Sequence, residues 1–330
     1  MSKQNNAPRL GLFAFVSIIA LVLLFGSVIL VENIVFPNFS EPIYESKTIR
    51  RDGVSYYPRQ DIRVFLVMGI DRAGPVSDSG SYMNSGAADV IAVMVFDETK
   101  KEYRILTLNR DTMCQLPVLG LNGKPAGSIT AQLALSHTYG NGLQQSCENT
   151  EKAVSDLLYG VYIDHYVSMN MDVVSILTDA VGGVKVDVKD DFSLIDDSIK
   201  KGEFILNGEQ AYKFVRTRKG VEDQLNISRM DRHAEYMEGF IDSFRIKIGN
   251  NTTKAMDIYE TVSPYIVTNC SQQVMISLLN RFYDYDLVEV LSPSGNNVRG
   301  EEYMEFYLDE NALDELVLKL FYSPKGKESN

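Results

Sequence analysis

The stretch from Gly208 to His233, GEQAYKFVRTRKGVEDQLNISRMDRH, brings Arg216, Arg218, Lys219, Arg229 and Arg232 together in a chain whose formal net charge is −12. A guanidinium is a planar fork whose donors match two oxygens of a phosphate or a carboxylate at once. Clustered charge is ordinarily a solvated face, so partners elsewhere in the chain decide what this island does. Those partners are carboxylates and arginines near one another in sequence: Asp71 with Arg72, Asp89, and Arg110 with Asp111. Salt bridging alone is one reading of such groups, and Asp111 is read as the side chain that orients Arg110. The other reading is a Mg2+–diphosphate site. Mg2+ is typically held by one or two carboxylates plus substrate phosphates, with guanidiniums neutralising the remaining charge. No P-loop, GxGxxG, HExxH or GxSxG pattern occurs, which removes the common nucleotide, zinc and serine-hydrolase chemistries. His137 and His165 are scattered and read as structural.

The elements that must position these groups follow from local pattern. Ile62 to Ile70 (IRVFLVMGI) is a nearly continuous apolar run rich in β-branched residues, as expected of a strand buried on both faces. Val90 to Phe96 and Tyr103 to Leu108 read as two further strands joined by a turn at DETKK. Asp71, Asp89 and Arg110 then all stand at strand ends, the usual place for ligand contacts in open α/β sheets. Ala73 to Ala88 is a loop. Helices are predicted over Ile129 to Tyr139, Glu148 to Tyr159 and Val173 to Val181, the last stopped by Gly182 and Gly183, with strands at His165 to Asn170 and Val184 to Val188. Asn207 with Gln210, and Ser228 with Asp231, have capping-box spacing. The first of these helices should end near Val215, leaving Arg216 and Arg218 on one side of an extended segment. The second carries an apolar stripe of Met230, Ala234, Met237, Ile241 and Phe244, with Arg229, Arg232 and His233 on a neighbouring face near its N-terminus. Helical pieces at Thr253 to Tyr259 and Gln272 to Phe282, strands near Leu287 and Met304, and a helix from Asn311 to Phe321 complete the chain.

Composition narrows the setting. With 330 residues and 45% hydrophobic content the chain can bury a substantial core. Leu10 to Val31 contains no charged residue and is long enough to cross a hydrocarbon layer of roughly 30 Å as a helix. Lys3 and Arg9 precede it and Glu32 and Glu41 follow, so the positive-inside rule puts residues 1–9 in the cytoplasm and the rest outside. Residues 32–61 read as a juxtamembrane stalk and 246–330 as an α/β extension packed on the main domain between them, 62–245. All 44 acidic residues follow Val31, an unfavourable balance for a nucleic-acid partner. Three cysteines with no CxxC exclude a metal knuckle. A Cys114–Cys147 bridge and three free thiols both remain open.

Seven segments, in order, resemble the LytR-CpsA-Psr family of bacterial envelope enzymes: FLVMGIDR (65–72), AADVIAVMVF (87–96), LTLNRDT (106–112), YGVYIDHYVSMNMD (159–172), VGGVKVDV (181–188), LNGEQAYKFVRTRK (206–219) and SRMDRH (228–233). The resemblance implies an α/β fold with a central mixed β-sheet flanked by helices, following an N-terminal transmembrane helix. It also implies an apolar tunnel for a polyprenyl tail. Carried over by position, Asp71 and Asp89 would hold Mg2+; Arg110, Arg216, Arg218 and Arg229 would clamp the diphosphate, assisted by Arg232. The reading of the residues themselves adds Arg72 and His233 beside it, the His233 ring within reach of a phosphate. Two positions depart from the family: Ala88-Asp89-Val90 stands where Ser-Asp-Thr is usual, and His233 where Gln is frequent.

The implied activity is that of a membrane-anchored, Mg2+-dependent phosphotransferase. It would move an anionic glycopolymer (teichoic acid, capsule or a related wall polysaccharide) from a polyprenyl-diphosphate carrier to peptidoglycan at the surface of a Gram-positive cell. The rival readings are a non-catalytic envelope regulator or polyprenyl-phosphate binding protein, and a polyprenyl-diphosphate pyrophosphatase. The particular polymer and the oligomeric state are not written in the sequence.

Overall fold

The computed structural model describes residues 48–324 except 85, 121–123, 218–231, 233–234, 237, 241, 245, 248–251, 283–284 and 302. Its strands are β1 (Ile49–Arg51), β2 (Val54–Pro58), β3 (Ile62–Ile70), β4 (Ala88–Asp97), β5 (Glu102–Leu108), β6 (Met113–Leu119), β7 (Pro125–Gln132), β8 (His165–Asn170), β9 (Val184–Val188), β10 (Gly202–Leu206), β11 (Ile266–Thr268), β12 (Asp286–Leu291), β13 (Gly295–Arg299), β14 (Met304–Leu308) and β15 (Tyr322–Pro324). The helices are α1 (Gln144–Leu157), α2 (Val173–Val181) and α3 (Gly208–Arg216), then α4, formed by helical residues between 232 and 247, α5 (Thr252–Val262), α6 (Gln272–Phe282) and α7 (Glu310–Phe321).

Six strands form the central sheet in the order β11-β8-β3-β4-β5-β12. The β3–β8 and β5–β12 pairs are parallel, whereas β3–β4, β4–β5 and β8–β11 are antiparallel, so the sheet is mixed. The apolar runs of β3 and β4 divide by alternation. Phe65, Val67, Val90, Ala92, Met94 and Phe96 enter one core with side chains of α2 to α6, including Leu177, Phe214, Tyr236, Phe240, Ile258 and Phe282. Val64, Leu66, Met68, Ile91, Val93 and Val95 enter the other, under Cys147 and Val154 of α1 and Leu313, Val317 and Leu320 of α7. Both faces are covered, which is why these strands carry no polar alternation.

α3 begins as its sequence predicts. The Asn207 side chain accepts from the Gln210 N–H at 2.9 Å and the Gln210 side chain accepts from the Asn207 N–H at 3.0 Å. Gly208 is needed there, because a Cβ would lie 2.4 Å from the Ser175 carbonyl oxygen of α2. α2 ends at Gly182, whose φ of 90° is a left-handed cap.

Several expectations change. The helix expected over Ile129 to Tyr139 is instead the end of β7 followed by a 3-10 turn, Leu133–Thr138. β7 is captured by β6 in a hairpin with Met113 opposite Gln132. Ser136 and Thr138 then donate through their hydroxyls to the Leu133 and Leu135 carbonyls, both at 2.6 Å, which favours a tight turn over a continuing helix. The expected stalk contains β1 and β2, joined by β15 from the far end of the chain. Its partner is non-local, so composition alone reads it as a spacer. The segment after 245 supplies both edge strands of the central sheet, β11 and β12, and is therefore part of the main sheet. Residues 10–31, the Ser228 cap and the stripe members Met230, Ala234, Met237 and Ile241 lie outside the described residues. Tyr236, Phe240 and Phe244 form the described buried stripe of α4. Among the described residues no helix is long and apolar enough to cross a membrane.

Candidate active site

The three strand ends converge because of register. Ile70 pairs with Ala88 and Ile91 with Leu108, so Asp71, Asp89 and Arg110 emerge at one edge of neighbouring strands. The Asp71 N–H donates to the Ala87 carbonyl at 3.0 Å, tying the two acidic positions together through the backbone. Arg110 Nη1 donates to Asp89 Oδ1, and its Nε lies 3.4 Å from Asp111 Oδ1. The expected orienting role of Asp111 is thus visible. Arg216, the last residue of α3, places Nη2 3.6 Å from Asp71 Oδ1 and rests on Tyr212, with ring contact at 5.3 Å and a hydrogen bond to its hydroxyl. Thr217 is extended (φ −61°, ψ 127°), so the turn out of helix falls one residue later than predicted.

The centre therefore consists of two carboxylate–guanidinium pairs, Asp71–Arg216 and Asp89–Arg110, drawn from four elements. The Asp71–Arg216 pair is half exposed on both sides, 51% and 54%. Such a pair is worth about 1 kcal/mol or less, so an arriving phosphate can compete for the guanidinium. Among the described residues no group of three or more His, Cys, Asp or Glu side chains converges as a metal site. Two carboxylates are nevertheless the donor set that Mg2+ takes from protein when phosphate oxygens and water fill the rest.

Other predicted residues fall elsewhere. Arg72 runs toward Gly142, where an added Cβ would meet its Nη1 at 2.9 Å, so it lines the loop between Asp71 and Asp89 and does not join the two pairs. Arg232 is buried. Its Nε donates to the Phe214 carbonyl at 3.0 Å, Nη2 to the Thr217 carbonyl at 2.7 Å and Nη1 to Asp190, so its donors hold the end of α3 in place of the ligand contact expected of it. Arg218, Arg229 and His233 lie outside the described residues. The three cysteines are free thiols, each pushed up to about 12 by burial, which answers the open question about Cys114 and Cys147.

Sequence reasoning missed the side chains that fix the acidic loop. Asn84 donates to the His137, Gly140 and Thr138 carbonyls (2.8, 3.0 and 3.3 Å) and to Ser146 Oγ at 3.0 Å, and its Oδ1 accepts from the Gly86 N–H at 2.7 Å. His137 Nδ1 donates to the Gly86 carbonyl at 2.8 Å. Gly86 is thereby held on both sides, next to the Ala87 carbonyl that receives Asp71. A polar residue in a Gly/Ser/Asn loop carries no local mark of such a role.

Burial pushes the His137 imidazole down to about 4, and the Arg72 charge acts in the same direction. The folded state thus favours the neutral ring that donates through Nδ1. Unfolding restores an ordinary pKa near 6.5, so the unfolded chain binds the extra proton between pH 6.5 and 4 and stability falls as pH falls through that window. The contribution at stake is roughly 3 kcal/mol. Burial raises Asp164 to about 6 and Glu151 to about 7, which opposes this trend. His137→Asn keeps an N–H donor without the titration. Chemical denaturation of both proteins is expected to show a shallower acid loss in the variant, and parallel pH profiles would remove His137 as the cause.

A mixed α/β sheet that gathers alternating carboxylates and guanidiniums at adjoining strand ends defines an α/β protein with a charged site at the sheet edge. The sequence model of the LytR_cpsA_psr family matches residues 41–321, and the chain belongs to the LytR-CpsA-Psr family. It is 28% identical over 258 residues to the polyisoprenyl-teichoic acid–peptidoglycan teichoic acid transferase TagV of Bacillus subtilis, covering 76% of this chain and 61% of that protein. It is 25% identical over 286 residues to TagU of the same organism, a transferase of the same description, with 84% of each covered. Among solved structures, that of B. subtilis TagV superposes with a TM-score of 0.57 at 26% identity, covering 79% of this chain and 96% of that one. A structure described as TagT bound to LI-WTA superposes with a TM-score of 0.57 at 22% identity, covering 79% and 90%. The latter supports the fold.

Proposed function

We propose that this chain transfers an anionic, teichoic-acid-like glycopolymer from a polyprenyl-diphosphate carrier to peptidoglycan. On this reading Leu10 to Val31 anchors it in the cell membrane with residues 32–330 outside. The observation that carries the proposal is the pairing of Asp71 with Arg216 and Asp89 with Arg110 at one edge of the sheet. Guanidiniums alone would be a simple anion site; interleaved carboxylates repel a diphosphate unless a cation accompanies it. Asp71 and Asp89 would hold Mg2+, which when bound would neutralise charge on the phosphate oxygens.

Arg110, oriented by Asp111, and Arg216, seated on Tyr212 at the end of α3, bind the diphosphate oxygens. The acceptor hydroxyl attacks the sugar-linked phosphorus and gives up its proton to solvent, forming one P–O bond as the bond to the polyprenyl phosphate breaks and that phosphate leaves with the bonding electron pair. Charge that grows on the leaving phosphate is met by the fixed guanidiniums, which cost no reorganisation at that moment. The full chain in membrane vesicles with Mg2+ is expected to convert radiolabelled carrier-linked polymer into a peptidoglycan conjugate. Binding without turnover would instead assign a carrier-binding regulator, and release of free phosphorylated polymer a pyrophosphatase.

A further inference from the structure

Beside the charged centre lie two hairpins of different chemistry. From Met113 to Gln132, spanning β6 and β7, Lys124 is the one charged residue in a chain that is 23% charged. Cys114 and Leu116 turn inward onto the core. Their neighbours Gln115 and Thr130 pair directly across the strands on the outer face, both exposed, with Gln115 Nε2 donating to Thr130 Oγ1 at 2.6 Å. Gln132 shares that face by alternation. Its amide reaches Asp111 Oδ1 at 3.0 Å, and so adjoins the group that orients Arg110, and the Met304 carbonyl of β14 at 2.7 Å.

The β13–β14 hairpin is fixed to the same point, because the Phe306 N–H donates to the Asp111 carbonyl at 2.9 Å. Phe306 is buried, so by alternation Tyr307 faces outward, 46% exposed, with Asn296 and Val298 across from Tyr307 and Glu305; Tyr303, in the bend just before β14, is 66% exposed. Glu305 accepts from the Tyr307 hydroxyl at 2.7 Å, and Glu301 is exposed nearby in sequence. Two exposed tyrosines, amides and hydroxyls offer ring faces for sugar C–H groups and hydrogen bonds for hydroxyl and acetamido groups. Carboxylates among them disfavour a polyphosphate.

Resting on the transferase reading above, we propose that the outer faces of these hairpins dock the acceptor, an uncharged N-acetylated glycan strand, and lead it to Arg110. The anionic donor is left to the arginine centre. Division of labour by charge keeps the two polymers from competing for one surface.

With the full chain in vesicles, the Tyr303→Ala/Tyr307→Ala double variant is expected to raise the acceptor concentration for half-maximal transfer about 5- to 10-fold. Donor half-saturation and the rate at saturating acceptor should stay unchanged. An unaltered acceptor dependence, or a shift confined to the donor, overturns the proposal. A second arm needs no turnover: N-acetylglucosamine oligomers are titrated against wild type and variant by saturation-transfer NMR, with polyglycerol phosphate as the anionic comparison. Oligomer binding that the double variant loses supports the platform. Equal binding in both, no binding by wild type, or polyglycerol phosphate held through these tyrosines overturns it. If wild type transfers no polymer, the transferase reading fails, and the oligomer titration still decides the platform.

Discussion

Arg110→Lys is expected to lower the saturated transfer rate by about two orders of magnitude, near the loss seen when one fixed transition-state donor is removed. The reason lies in how Arg110 is held. Its Nη1 binds Asp89 and its Nε faces Asp111, so two carboxylates fix the plane of the fork before any ligand arrives. A lysine ammonium is a point charge on a flexible stem, unable to satisfy both carboxylates in one fixed orientation and still present parallel donors to a phosphate. Folding should be nearly unaffected. The Arg110 side chain is one-third exposed, and the backbone beyond it is fastened independently, the Arg110 carbonyl accepting from the Ala134 N–H at 2.9 Å. Initial rates with carrier-linked polymer, alongside thermal unfolding, read the two effects separately. Arg216→Lys should cost less, because Arg216 is half exposed and leans on Tyr212. Transfer by Arg110→Lys at the wild-type rate would remove Arg110 from the clamp.

The sequence carried the centre of the fold more clearly than its margins. β3, β8, β9, α2 and α6 end where apolar period, glycine stops and caps place them, because each depends on signals within its own segment. β1, β2, β10, β13 and β15 were not legible. They are short, and those that pair in the β1-β2-β15 sheet answer to a partner from the opposite end of the chain. Within the site, Asp71, Asp89 and Arg110 could be found because their strand ends are local features and register then brings them together. Asn84 and His137 could not. Their importance arises from the fold of loop 73–87 onto the 3-10 turn, a contact that neither segment announces. Arg72 and Arg232 illustrate the converse, in which a charge at an expected position does not by itself distinguish a ligand contact from a structural one.

Arg232 makes that distinction measurable. Its guanidinium lies at the junction of three segments, donating to Phe214 and Thr217 at the end of α3 and to Asp190, with the Phe192 ring 5.7 Å away. Asp190→Ala would leave a buried cation without its carboxylate, and breaking a buried pair from one side costs about 3 to 5 kcal/mol. Asp190 keeps some access to water, so the lower end, about 3 kcal/mol, is expected. That corresponds to a loss of roughly 5 to 10 °C in Tm. The functional consequence follows from what Arg232 anchors. Once the Phe214 and Thr217 carbonyls lose a fixed donor, the last turn of α3 loosens and Arg216 no longer meets Asp71 in one geometry. Transfer should fall about 10-fold even at temperatures where the variant is fully folded. Were Arg232 a direct phosphate ligand, removing Asp190 would release its guanidinium toward the donor and leave donor binding intact or tighter, while Arg232→Met would abolish binding with little change in Tm. The two roles thus predict opposite responses of donor affinity to Asp190→Ala. The hydrogen bonds of Arg232 favour weakened affinity together with a lowered Tm in both variants.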